Sequence, residues 1–173
     1  MHKVYLVDDD VFVRKGIKTL IDWESYGFTV CGEAGNGEDA LAEIKELQPD
    51  LVLTDIRMPV LDGLDLIKHA KETLFQSPYF IVISGYNDFK YAQRALRYGV
   101  KDFILKPVDQ DEIHQTLEKI ANAIEVEYET KQMEDKMETV SELKKFLLCD
   151  KECNLSNEWQ HPFLEETAYT FIK

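Results

Sequence analysis

Between residues 3 and 124, short apolar runs of strand type alternate with segments of helical period, and this alternation restricts the possible folds more than any other feature. The strand-type runs fall at about 3–7, 28–34, 51–54, 79–83 and 102–105, rich in β-branched or aromatic residues and bounded by Gly, Pro, Asp or Asn. Helical segments follow at about 11–22, 37–47, 63–75, 88–98 and from 109 onward. Asn36 stands as the N-cap of the second helix, Pro49 closes it, and Gly99 marks the stop of the fourth, which Asn87 or Asp88 caps. Strands joined by helices of about ten residues run parallel with right-handed crossovers, so the pattern predicts an α/β, doubly wound sheet.

In such a sheet the loops at the carboxyl ends of the strands form the ligand crevice. Polar residues stand at four of those five ends: Asp8-Asp9-Asp10, Asp55, Ser84 and Lys106. Taken singly, an acidic triplet is a helix cap or solvated turn, a lone Asp is structural, and a Lys before Pro is a surface residue. Together they form a charge problem. If Asp8, Asp9 and Asp55 meet within about 5 Å, each pair repels by roughly 3 kcal/mol at an effective dielectric near 20. A cluster of hard oxygen ligands with room for water and phosphate suits Mg²⁺ or Mn²⁺. Lys106 supplies a point charge for a phosphoryl oxygen and Ser84 a hydroxyl donor, so the set fits a carboxylate nucleophile receiving a phosphoryl group. The single Gly-x-Gly, Gly35-Asn36-Gly37, lacks a third Gly and follows the second strand, so it reads as a turn into a capped helix.

Residues 3–124 resemble a receiver domain of a bacterial two-component response regulator. The resemblance rests on Val7-Asp8-Asp9-Asp10, on Leu53-Thr54-Asp55-Ile56-Arg57-Met58-Pro59 with Asp62-Gly63, on Ser84-Gly85-Tyr86, and on Phe103-Ile104-Leu105-Lys106-Pro107. It implies a flavodoxin-like sheet of order 2-1-3-4-5. It further implies that Asp55 accepts a phosphoryl group from a phosphohistidine on a cognate sensor histidine kinase. Asp8, Asp9, Asp55 and the backbone carbonyl of Arg57 would hold the metal, Asp8 directly or through water, with Asp10 a weaker candidate. Ser84 and Phe103 would act as the switch, Lys106 would bind the phosphoryl group, and the Lys106–Pro107 bond would be cis. Arg57 and Tyr86 occupy positions that tune dephosphorylation, where their bulk would hinder water. Such a protein is a phosphoacceptor regulator rather than an enzyme. The segments look most like those of regulators joined to an AraC-type helix-turn-helix domain, which makes transcription the expected output. A stand-alone receiver acting through protein contacts is the alternative. A haloacid-dehalogenase-type phosphatase is an outsider: Asp8-Asp9-Asp10 satisfies its Asp-x-Asp pair, but Phe12 stands where that family has Thr or Val.

The fifth helix continues well past the receiver, with no Pro or Gly from Val108 to Leu148. About 40 helical residues span about 60 Å, more than a domain with a radius of gyration near 14 Å can cover. Ile113, Leu117, Ile120 and Ile124 form a stripe suited to the sheet. A second stripe, Met133, Met137, Val140 and Leu147, is offset from Ile120 by about 220° and therefore predicted to face away. Ala123, Val126 and Thr130 extend it into a heptad register, interrupted by Lys144, so a parallel coiled coil and a homodimer are expected. A mixed-charge face of Lys90, Arg94, Arg97, Lys101 and Asp102 is a second dimer surface implied by the family.

The organisation expected is a receiver over 1–124, a helical linker over 125–149, and the start of a truncated middle or effector region over 150–173. Lys plus Arg number 20 against 33 Asp plus Glu, a formal charge of −13, which opposes nucleic-acid binding by this piece. No run of 18 apolar residues and no signal-peptide pattern occurs, so no membrane association is expected. Cys31, Cys149 and Cys153 are an odd set that fits a reducing cytoplasm, and their spacing with His161 matches no standard zinc pattern.

Overall fold

The computed structural model describes residues 1–85 and 89–152, with the side chains of 89, 142 and 146–152 left aside. The expected alternation is present: β1 (His2–Val7), α1 (Val11–Leu20), β2 (Phe28–Ala34), α2 (Gly37–Leu47), β3 (Leu51–Thr54), α3 (Gly63–Thr73), β4 (Tyr79–Ser84), α4 (Phe89–Arg97), β5 (Asp102–Leu105) and α5 (Gln110–Glu152). All strands pair in parallel in the order β2-β1-β3-β4-β5. This is the flavodoxin-like topology. One element escaped the sequence pattern. The first helix ends at Leu20 rather than 22, and a 3-10 helix at Trp23–Tyr26 follows, closed by Gly27 at φ 74°. Trp23 is 7% exposed, so burial of the indole, not helical period, places this turn.

Strand side chains alternate between two cores. Tyr5, Val7, Val52, Phe80 and Val82 face α2, α3 and α4 through Ala40, Ile44, Leu64, Ile67, Ala70 and Ala95. Val4, Leu6, Leu53, Ile81 and Ile104 face the other way, against Trp23, Ile113, Leu117, Ile120 and Ile124. The first α5 stripe is thus buried as its spacing predicts. Polar side chains start four of the described helices: Asp10, Asn36, Asp62 and Asp109 accept from the amides of Phe12, Asp39, Asp65 and Glu112. Gln48 ends α2 in the left-handed conformation where Gly is usual. Gly99 at φ 69° follows α4 as expected, while the predicted cap at Asn87 or Asp88 lies outside the described residues.

Two compact units divide the chain, Met1–Glu127 and the residues from Tyr128 onward. Within the second, the described backbone is the continuing α5, on which Met133, Met137 and Val140 are exposed. The side chain of Leu147, and residues 153–173 with Cys153 and His161, lie outside what is described, as does the side chain of Cys149. Among the described residues, no helix is long and apolar enough to cross a membrane.

Candidate functional site

Register brings the acidic residues together. Val7 pairs with Thr54, and the Asp55 amide donates to the Val7 carbonyl at 2.8 Å, so Asp8 and Asp55 leave adjacent strands at one level. Carboxylate oxygens of Asp8, Asp9 and Asp55 lie within 4.8 Å of one another. On the far side, Ser84 pairs with Leu105 and its carbonyl accepts from the Lys106 amide at 2.9 Å. That turn directs Lys106 back across the crevice. Its Nζ donates to Asp8 Oδ2 at 2.6 Å and Asp55 Oδ2 at 2.8 Å. The Lys106–Pro107 peptide is cis.

Asp55 is held from several directions. The Ile56 amide donates to Asp55 Oδ1 at 2.5 Å, and the Thr54 hydroxyl donates to the Asp55 carbonyl at 2.8 Å. Gly63 packs its Cα against the same carbonyl oxygen, where a Cβ would overlap it. These contacts fix the direction in which Asp55 leaves β3. Burial pushes the Asp8 carboxyl above its ordinary value, against the lowering effect of Lys106 and the Asp10 amide. Burial pulls the Lys106 ammonium down, but its hydrogen bonds to Asp55 and Asp8 outweigh that and hold it above the usual lysine value. The proton therefore stays on Lys106. Three carboxylates and one ammonium leave a formal charge of −2 in the cluster. Hard oxygen donors with that residual charge fit a divalent cation.

The remaining predicted residues are placed as follows. Asp10 is exposed and spends its carboxylate on the Phe12 amide, so it is the helix cap rather than a fourth acid of the cluster. Ser84 is fully buried at the end of β4, and Phe103 is half-buried against the core that includes Val82, its partner in register. Arg57 is exposed, with its guanidinium 5.6 Å from the centroid of the Tyr91 ring on α4. Tyr86 lies outside the described residues. In the mixed-charge face, Asp102 is turned to internal use, accepting from the Phe103 amide and, at 2.6 Å, from the buried Thr116 hydroxyl of α5.

Sequence reasoning missed the residues that support the site. Arg14 donates to the Asp8 carbonyl, and Thr54 and Gly63 brace Asp55. Thr54 and Gly63 left a trace, as parts of the motifs that hold Asp55 and Asp62. Arg14 left none, because its bond to the Asp8 carbonyl depends on how α1 packs beside the site. Val60 was missed as well: it adopts φ 67° while 76% exposed, and the Leu61 amide closes back on the Pro59 carbonyl at 2.8 Å. A β-branched residue is strained there.

Comparisons with known proteins agree with this geometry. The model of the response regulator receiver domain family matches residues 4–118. The chain is 42% identical over 120 residues to the uncharacterized transcriptional regulatory protein YesN of Bacillus subtilis, covering 69% of this chain and 32% of that protein. It is 36% identical over 124 residues to the transcriptional regulatory protein HptR of Staphylococcus aureus, covering 72% and 48%. The chain thus spans less than half the length of either relative. Among solved structures, the REC domain of the response regulator AraT from Geobacillus stearothermophilus aligns with TM-score 0.68 at 38% identity, covering 73% of this chain and 98% of that one. The receiver domain of the putative response regulator NarL from Mycobacterium tuberculosis aligns with TM-score 0.62 at 29% identity, covering 70% and 96%. With the family model matched over residues 4–118 and the fold shared with solved receiver domains, the chain belongs to the response regulator receiver domain family.

Proposed function

We propose that this chain is the phosphoacceptor switch of a two-component system, taking a phosphoryl group on Asp55 from a sensor histidine kinase in the cytoplasm. One observation carries the reading: Asp55, at the end of the central strand, is clustered with Asp8 and Asp9 and bonded to Lys106. Asp8, Asp9, Asp55 and the Arg57 carbonyl would hold Mg²⁺, or Mn²⁺ in its place. The chemistry supplied there would be neutralisation of charge on the phosphoryl oxygens.

The chain's own groups do the rest. A carboxylate oxygen of Asp55 attacks phosphorus as the bond to the donor imidazole nitrogen breaks, and that nitrogen keeps the electron pair. Lys106 exchanges its bond to Asp55 for one to a phosphoryl oxygen, preserving its charge pairing. Ser84 donates its hydroxyl to another, and Phe103 turns into the space it leaves; lacking a hydroxyl, Phe103 needs no buried polar partner. Arg57 and Tyr86 crowd the approach of water and prolong the phosphorylated state. The output is transcriptional, through an AraC-type DNA-binding domain in the longer protein, consistent with relatives named as transcriptional regulators. Residues 1–124 would be the receiver, 125–149 the linker and 150–173 the start of the next region. Two copies would pair through Met133, Met137, Val140 and Leu147 of the linker helix, the first three exposed and apolar.

Incubation with Mg²⁺ and acetyl phosphate, followed by mass spectrometric mapping, tests the reading. Label on Asp55, lost in D55N, is the expected result. Label on Asp8 would instead support the hydrolase reading, and no label on either would remove both.

A further inference from the structure

Arg14 is a largely buried cation beside the site, its side chain 13% exposed. Its Nη1 donates to the backbone carbonyl of Asp8 at 2.5 Å. On the other side its Nε lies 3.5 Å from Glu33 Oε1 near the end of β2, and Lys18, one turn further along α1, pairs with the same carboxylate. Nε makes no hydrogen bond there, so Glu33 holds the guanidinium as an ion pair. A Cβ at position 35 would only make ordinary van der Waals contact with Nη1, at 3.7 Å.

The carbonyl that Arg14 holds belongs to the peptide joining Asp8 to Asp9. Asp8 is fixed independently: its amide donates to the Ala34 carbonyl, one carboxylate oxygen accepts from the Asp10 amide, and the other accepts from Lys106. Asp9 has no such support, because no hydrogen bond among the described residues holds its exposed carboxylate. Its aim is set by its backbone and its own rotamer, with no partner of its carboxylate among the described residues to correct either. Turning the Asp8–Asp9 peptide would swing Asp9 away from Asp8 and Asp55.

We propose that Arg14 is a positioning residue for the divalent-cation site: by clamping the Asp8–Asp9 peptide from a seat fixed by Glu33, it aims Asp9 at the cluster. This rests on the phosphoacceptor reading above. The sign of the effect separates positioning from simple charge. A nearby cation repels Mg²⁺, so removing it tightens binding if charge alone matters. Loss of a positioning contact weakens binding.

Titration calorimetry of Mg²⁺ into the 173-residue chain decides the matter, with thermal unfolding in EDTA as the stability control. R14Q is expected to raise the dissociation constant about tenfold, at the low end for loss of a supporting contact. R14K keeps the charge but cannot reach the Asp8 carbonyl and Glu33 together, so a rise of about threefold is expected. E33Q should behave like R14K, and should add nothing in the R14Q background, since both act through one clamp. If R14Q fails to fold, R14K, which keeps the charge, carries the test. Variants that bind Mg²⁺ as tightly as the wild type, or more tightly, would overturn the proposal while leaving Asp55 labelling intact. A wild-type chain that neither binds Mg²⁺ nor labels on Asp55 would overturn the parent reading, and the proposal with it.

Discussion

Replacing Lys106 by Met exposes the electrostatics of the site in metal-free protein. Lys106 bonds to Asp8 and Asp55, whose side chains are only 5% and 10% exposed. With their oxygens inside 4.8 Å, two carboxylates repel by about 3.5 kcal/mol at an effective dielectric near 20. Removing one partner of a buried pair costs about 3–5 kcal/mol. Because Lys106 itself is 22% exposed, water recovers part of that, and a loss of about 2–4 kcal/mol is expected in urea unfolding at pH 7 with EDTA. Mg²⁺ should then rescue the variant more than the parent. At ten times its dissociation constant a ligand adds about 1.4 kcal/mol, and a site binding tenfold tighter gains about 2.7, so the gap narrows by more than 1 kcal/mol.

Acid should narrow the gap as well. Asp8 has a folded pKa above its ordinary 3.8, so between those values the native state binds more protons than the unfolded one and gains stability as pH falls. In K106M the lowering influence of the ammonium is gone and that window widens. The reasoning fails if K106M in EDTA unfolds within about 0.5 kcal/mol of the parent, or if Mg²⁺ stabilises it less.

V60G should stabilise the fold by about 1 kcal/mol, seen as a rise in melting temperature of about 3 °C, because relief of the left-handed strain exceeds the entropy Gly adds to the unfolded chain. G63A should cost about 3 kcal/mol or more in the same assay, since the new Cβ meets the rigid Asp55 carbonyl. Changing both Met133 and Met137 to Glu should abolish dimers in sedimentation velocity; a parent chain that stays monomeric with and without beryllofluoride would dismiss the coiled coil. R57A/Y86A should lose phosphate from Asp55 faster than the parent, and an unchanged half-life in a phosphate-release assay would remove these side chains from any role in shielding it.

The sequence by itself determined the sheet, because period-2 and period-3.6 apolar patterns are local and each reports which face must be buried. Tyr5 and Val7 against Val4 and Leu6 already separate the two cores. Asp8, Asp9, Asp55 and Lys106 were legible for a related reason: parallel topology obliges the carboxyl ends of neighbouring strands to share one edge. The family motifs added the expected roles of Ser84, Phe103 and Arg57. Only the tertiary structure decided how the charges compensate. Whether Lys106 would reach one carboxylate or both depends on the turn after β5, and Asp10 was diverted to capping α1. Arg14, Glu33 and Lys18 meet because α1 lies beside the end of β2. Asp102, legible only as surface charge, is taken up by Thr116. Apart from the local cap at Asp10, such contacts join residues distant in the chain at distances of a few ångströms, and no periodicity encodes them. Trp23 and Val60 follow the same rule, as their conformations are imposed by burial and by chain closure against local preference.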